Sequence, residues 1–555
     1  MLSEHFFKYF SFRYVPIFAN RSTKIWGNMV KKNPDMILLN GKVLTMDGND
    51  TIAEAVAVNE GRIVGVGDSR QIEALAGSET KKLDLRGNTL LPGFIEAHTH
   101  NDMYGMMTSD LVVDCHIPPL ESVDDILKAV RKKAGSLPEG ELILGQGRTF
   151  QPYPTREQLD KAAPQHPVVV KPSMHWYLLN TAALKRFRIT RDYPAFEQIF
   201  EVDPCGVIQR DLITGEPTGY VEECWNYMFP RSKSPFTYEQ TRRVVKQGLD
   251  THSRYGVTSL VEFMDHPESP RIYQDLYKKG ELNVRLQIVH CCYGLYKTVD
   301  LAEVIHMGLV TGFGNEWIKL GGVKIFVDRQ QDTTCSSSQL KEWFSRAHRA
   351  GLRVYMHAIT RKGQDMALEA IEAEAAHTGL EGIKAMRHRI EHMGNENHDE
   401  TYLPRMMKLG AIALPTAYFM NMGPNKLLSP KTDKAFMFRT MLDMGLCVPG
   451  NSDGGGAIPE APNPLYQIWC MVNRKSLDGE PVCPTEKISV LEALKVYTRH
   501  SAYGGLEEDI KGSIEKGKMA DFVVLAEDPL TSPEDHLKDI NVEMTIVNGK
   551  VVYQR

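Results

Sequence analysis

Short apolar runs rich in β-branched residues begin at Asp35. "MILLNGKVLTM" and "AEAVAVNEGRIVGVGD" break at Asn-Gly and Glu-Gly. Those dipeptides supply the positive φ that tight turns need, so both stretches predict hairpins. The C-terminus repeats the style. "KGKMADFVVLAEDPL" and "VEMTIVNGKVVYQR" read as strands, the last two joined by another Asn-Gly turn. Chain ends of one character, which commonly lie close together, predict one small β domain built from residues 35–90 and 506–555.

Between the ends, strand-like runs alternate with helical ones: "VTSLVEFM" precedes "SPRIYQDLYKKG", and "WIKLGGVKIFVD" precedes "SSQLKEWFSRAHRAG". "LRVYMHAIT" and "RHRIEHMG" are followed in the same way. The alternation means βα units and a parallel sheet. Seven or eight units across residues 91–505 predict an α/β fold, a (β/α)8 TIM-like barrel carrying an insertion subdomain at about residues 120–250. A doubly wound sheet is the competitor, but no GxGxxG follows a first strand. Residues 1–34 form an N-terminal extension. Its first 28 residues are basic and aromatic with Glu4 as the only acid, which suits a targeting peptide or an upstream extension before Met29.

Composition narrows the function classes. An apolar fraction of 42% with 24% charged residues is that of a soluble globular protein. A net charge of −5 argues against a dominant nucleic-acid surface, and no apolar run approaches the ~20 residues needed to span a bilayer. Nine cysteines, odd in number and without a CxxC pair, suit free thiols in a reducing compartment. These features predict a cytoplasmic protein acting on a small molecule, with a symmetric homodimer as the default assembly.

The polar residues at the C-terminal ends of the apolar runs carry the chemistry. In "LLPGFIEAHTHN", His98 and His100 project from one face at a strand end, where two neutral imidazoles can bind a metal. They can also be ordinary loop histidines. Lys324, His357, His392 and Asp453 fall at corresponding positions in later units, and active sites of (β/α)8 barrels sit at that end. Each alone has an ordinary explanation: a lysine in a polar barrel layer, a satisfied core histidine, an Asp-Gly turn. Six such residues on five strand ends make coincidence a poor account.

These residues resemble the amidohydrolase superfamily. "LLPGFIEAHTH" is similar to its first-strand signature LPGFIDxHxH. "NGKVLTMD", "EGRIVGVGD" and "GSIEKGKMADFVVLAEDPL" look like the two halves of its β-sandwich. "PTREQLDKAAPQHPVVV", "NTAALKRFRI" and "TGEPTGYVEE" resemble the amidohydrolase family 3 branch, which includes N-substituted formamide deformylases. The resemblance runs from about Met36 to the end. It implies a divalent metal, expected as Zn2+, with one or two ions per chain and two favoured. His98 and His100 would hold one metal position, and His357 and His392 the other. Asp453 would contact metal, take the proton from the attacking water and deliver it to the leaving amine. "VKIFVD" is similar to the branch's VKLFADG, making Lys324 the candidate for a CO2-carboxylated lysine bridging two metals.

The chain departs from the branch around the pocket. "VDRQQDTTCSSS" stands where relatives read DGSLGSR, "HAITRKGQD" stands for HAIGDRA, and "EHMG" for EHxQ. Arg329 or Arg389 would suit a substrate carboxylate, with a structural ion pair the alternative for Arg389. His175, Trp176 and Trp225 lie in the insertion and would contact an apolar or aromatic substrate group, or else pack as core. The expected activity is hydrolysis of an amide, N-acyl, N-formyl or cyclic amide C–N bond. An aminohydrolase acting on a nitrogen heterocycle is the alternative; superfamily deaminases carry HxxE where this chain reads "HAIT".

Overall fold

The structure is a computed structural model. It describes residues 33–149, 151–194, 206–230, 235–294, 297–329, 332–396, 401–422, 434–476 and 478–555. The basic stretch 1–28 lies outside the described residues. Seven strands form a wholly parallel sheet: β1 (Phe94–Thr99), β2 (Val257–Met264), β3 (Arg285–Tyr293), β4 (Ile318–Phe326), β5 (Val354–His357), β6 (Arg389–Glu391) and β7 (Ile412–Leu414). Each pairs with the next in chain order.

The sheet curls. Residues 448–454 lie along the free edge of β1, where Ala97 N donates to Gly450 O (2.9 Å), Asp453 N to His98 O (2.9 Å) and His100 N to Gly454 O (3.2 Å). The same segment reaches the chain beyond β7 through Asn451, which donates from Nδ2 to Pro415 O (2.7 Å) and accepts from Thr416 Oγ1 (2.8 Å).

The helices that cover the sheet start where the sequence supplies caps. Thr237 and Gln240 make a reciprocal capping box on helix Tyr238–Arg254, as do Ser336 and Gln339 on Ser337–Arg349. Thr360 caps Arg361–Thr378 through Gly363 N, and its hydroxyl also donates to Asp328. The helices bury apolar faces against the sheet in one continuous core that includes Leu260, Val323, Val354, Phe344 and Ile371. Each such side chain contributes roughly 1.5–3 kcal/mol when fully buried.

Three further sheets complete the molecule. A four-stranded sheet takes Met36–Leu39, Ala55–Asn59, Arg62–Gly67 and Lys81–Asp84. A six-stranded sheet draws on both ends of the chain, Phe522–Leu525 pairing antiparallel with Thr89–Pro92. The Glu-Gly and C-terminal Asn-Gly turns behave as expected, with positive φ at Glu60, Gly61, Asn548 and Gly549 between paired strands. Asn40-Gly41 does not make a hairpin. The strand before it pairs with Ala55–Asn59 and Lys81–Asp84, whereas Lys42–Leu44 pairs with Ile52–Ala53 and Thr89–Pro92. Asn40, at φ 57, lets the chain step from one sheet to the other.

Between β1 and β2 lies a second six-stranded sheet. Val113–Asp114, Ile143–Gln146 and Val168–Lys171 run parallel, and Trp176–Leu179, Pro217–Glu222 and Val207–Arg210 continue it antiparallel. Its first strand starts at Val113. The described cysteines are free thiols. No described helix is long and apolar enough to cross a membrane.

Candidate active site

The C-terminal ends of the parallel strands bring the predicted residues together. His98 is the penultimate residue of β1, and His100 follows the strand. Lys324 lies near the end of β4, His357 ends β5 and His392 directly follows β6. Asp453 arrives on the segment beside β1. Its Oδ1 lies 3.2 Å from His98 Nε2 and 3.3 Å from His100 Nε2, and its Oδ2 lies 4.0 Å from His392 Nε2. The His392 ring is 4.7 Å from that of His357, centroid to centroid. Lys324 Nζ stands 3.4 Å from His98 Nε2.

Each converging imidazole is oriented by its other nitrogen. His98 Nδ1 lies 2.5 Å from Glu391 Oε2, His100 Nδ1 2.7 Å from Asp265 Oδ2, and His392 Nδ1 3.3 Å from Thr416 Oγ1. Partners on Nδ1 favour the tautomer that presents Nε2 to the centre. Burial would lower the His100 imidazole, but beside Asp265 it is raised to about 10. Glu391 is in turn gripped by Arg389, whose Nε donates to Oε1 (2.8 Å) and Nη2 to Oε2 (2.7 Å). Arg389 is therefore a structural ion pair and not a substrate anchor. Glu96 ties β1 to the Asp453 segment, its Oε1 accepting from His98 N (3.1 Å) and Ser452 N (2.9 Å).

Burial shapes the charge states. It lowers the His98, His357 and His392 imidazoles and the Lys324 ammonium below their ordinary ranges. Burial pushes the Glu96 carboxyl up to about 8. Burial would also raise Asp453, but His392, His100 and His98 hold it well below the usual carboxylate range. In Glu391 burial is likewise overcome, by Arg389 and His98. Asp453 (φ 46) and His392 (φ 69) occupy the left-handed region, a costly conformation for non-glycine residues that clusters at functional sites.

The donor set fits a divalent cation. Among the described residues His98, His392 and Asp453 offer ligand atoms all within 4.8 Å of one another. His357 Nε2 is buried without a hydrogen-bond partner, its closest carboxylate oxygen being Asp328 Oδ1 at 3.8 Å. Imidazole nitrogens with a carboxylate oxygen are the ligands that zinc-type ions take.

A cavity of about 170 Å³ opens onto His357, His392 and Asp453. Trp176, Tyr418, Phe419 and Phe436 give it an aromatic wall, and His175 and Asn395 supply polar atoms. Of the insertion residues singled out, His175 and Trp176 line this cavity. Trp225 does not; it is buried with Tyr177 and Phe229, with Lys171 Nζ 4.4 Å over its ring. Arg329 is also absent from the lining and sits on the loop after β4. Asp265 and Glu391 are not among the residues the strand-end pattern marked. Asp265 follows β2 at the active end of the sheet, a position that the strand-end argument could have flagged. Glu391 hid behind the neighbouring His392, and Glu223 lies outside the parallel sheet altogether.

Comparison with known proteins places the chain in a family. The chain is 27% identical over 560 residues to the N-substituted formamide deformylase of Arthrobacter pascens, covering 94% of this chain and 98% of that one. An uncharacterized metal-dependent hydrolase from Pyrococcus horikoshii matches with a TM-score of 0.69 at 20% identity, over 90% of this chain and 99% of its own. One from Pyrococcus furiosus matches at 0.68 and 22%, over 89% and 100%. The model of the amidohydrolase family covers residues 81–553, so the chain belongs to the amidohydrolase family.

Proposed function

We propose that this protein is a metal-dependent hydrolase of a non-peptide C–N bond, an amide, N-acyl, N-formyl or cyclic amide. The observation that carries the reading is the convergence of the His98, His100 and His392 Nε2 atoms on the ionised carboxylate of Asp453, beside the partnerless His357 Nε2. In the same reading the seven parallel strands and residues 448–454 make a closed (β/α)8 barrel. The two sheets of the chain ends make its β-sandwich, and the second six-stranded sheet belongs to the insertion at about residues 120–250.

His98, His100, His357, His392 and Asp453 would hold the cation or cations. Bound there, a divalent ion lowers the pKa of water toward ~7 and polarises a carbonyl. Asp453 would take the proton of the attacking water at its carboxylate and return it to the nitrogen of the leaving amine. A carboxylate beside a bound cation stays ionised, which suits a proton acceptor. Glu391 and Asp265 hold the imidazoles in register while this happens. Burial favours the neutral amine of Lys324, the form that reacts with CO2, so Lys324 would be the residue to carry a carboxylate toward the metal positions. The aromatic wall shields the reacting atoms from bulk water and suits an apolar substituent.

The test is a panel of N-formyl, N-acyl and cyclic amides, with nitrogen heterocycles beside them, each product identified. Release of a carboxylate and an amine is expected. Ammonia from heterocycles, with every amide left intact, would replace this reading by the aminohydrolase one.

A further inference from the structure

We propose that His175 and Glu223 form a substrate-positioning pair, in which His175 Nε2 hydrogen-bonds the amide group of the substrate. The proposal rests on the C–N hydrolase reading and adds to it a residue from outside the parallel sheet.

The pair is built by strand register. Trp176 lies opposite Glu222 in the antiparallel pairing of the insertion sheet, so His175 and Glu223 face each other just beyond the strand ends. Glu223 N donates to His175 O (2.9 Å), and the two side chains meet again, Nδ1 to Oε1, at 2.7 Å. Glu223 keeps this place at φ 50, a conformation a glutamate adopts at a cost. The fold thus maintains a strained residue whose side chain has one visible task, to hold the His175 ring.

With Nδ1 committed to Glu223, Nε2 is the polar atom the ring has left. His175 lines the same cavity as His357, His392 and Asp453, and its ring centroid lies 6.3 Å from that of His357. Its side chain is 26% exposed and that of Glu223 10%, so the histidine faces the cavity and the carboxylate stands behind it. Binding sites of this kind use a few fixed polar groups in an apolar wall to orient the ligand. Here the wall is Trp176, Tyr418 and Phe419. Glu223 acts through His175 and is the positioning residue of the two.

The experiment compares wild type with His175→Leu, His175→Gln and Glu223→Gln in the full-length chain. Three quantities are read for each: metal per chain, kcat/KM on the best amide of the panel, and calorimetric affinity for N-methylbenzamide with metal loaded and chelated. His175→Leu is expected to lower kcat/KM ~10²-fold and the amide affinity ~10-fold, with metal content and thermal midpoint unchanged. His175→Gln keeps a polar atom near the Nε2 position and should recover part of both losses, while Glu223→Gln should fall between. Unchanged kcat/KM and affinity in His175→Leu would overturn the proposal, as would loss of metal in step with activity. If wild type hydrolyses no amide, the hydrolase reading fails by itself. The affinity comparison then decides the pair: no amide binding, or binding indifferent to His175, overturns it.

Discussion

Two buried clusters of charge sit at opposite ends of the same parallel strands, and they are built to different standards. At the N-terminal ends, Glu507 receives Lys319 Nζ at 2.6 Å, Lys511 Nζ at 2.5 Å and Gln287 Nε2 at 2.7 Å. Lys511 also donates to Ser259 Oγ at the start of β2 (2.9 Å). Arg285, which opens β3, grips Asp521 with Nε (2.7 Å) and Nη2 (3.0 Å) and so ties the parallel sheet to the strand Phe522–Leu525. At the C-terminal ends, His357 Nε2, Asp265 Oδ1, Glu96 Oε2 and Thr99 Oγ1 are buried without hydrogen-bond partners among the described residues. Asp453 and His392 there are held at positive φ. A satisfied network stabilises the fold. An under-satisfied and strained one implies that something outside the chain completes it.

The contrast predicts that changes at one end cost activity and changes at the other cost stability. The largest effect is expected at Asp453. Asp453→Asn should keep the thermal midpoint within a few degrees and lower kcat by roughly 10³-fold, as loss of a general base does. Near-wild-type turnover would remove its role as proton carrier.

Glu507→Gln should do the reverse. It leaves two buried lysines facing a neutral amide and should destabilise by about 3–5 kcal/mol, read from denaturant midpoints. The kcat of the folded fraction should not change. Burial would raise the Glu507 carboxyl, but Lys511 and Lys319 pull it down to about 2, below an unfolded glutamate at ~4.3. A depressed carboxylate stabilises above its unfolded value, and that stability is lost as pH falls through the folded value. Wild type should therefore lose stability between pH ~4.3 and about 2 more steeply than Glu507→Gln; parallel acid curves would show that the carboxylate carries no such linkage. The smallest effect is expected at Arg329, which lies outside the cavity lining. Arg329→Ala should change kcat/KM by less than about 3-fold on any amide of the panel, and a collapse confined to carboxylate-bearing substrates would restore it as an anchor.

The sequence was most informative where periodicity and position act together. Alternating runs announced the parallel sheet, and strand ends then drew attention to His98, His100, Lys324, His357, His392 and Asp453, which meet in space. The supporting partners were harder to see. Glu391 and Asp265 reach the imidazoles they orient across 293 and 165 residues of chain, and no local pattern encodes such a distance. Glu223 depends on a strand register set within the insertion. Trp225, open between substrate contact and core packing in the sequence, is packed under Lys171. Asn40-Gly41 has the residues of a hairpin turn, but tertiary pairing put its two strands in different sheets.

Metal stoichiometry, measured by elemental analysis on the full-length protein with and without bicarbonate, tests the central claim most directly. About two divalent ions per chain are expected, falling to about one in Lys324→Ala and in His357→Ala. One ion indifferent to Lys324 would leave a mononuclear site and remove the carboxylated lysine. A protein that binds no divalent ion, even when supplied with excess zinc, would contradict the account.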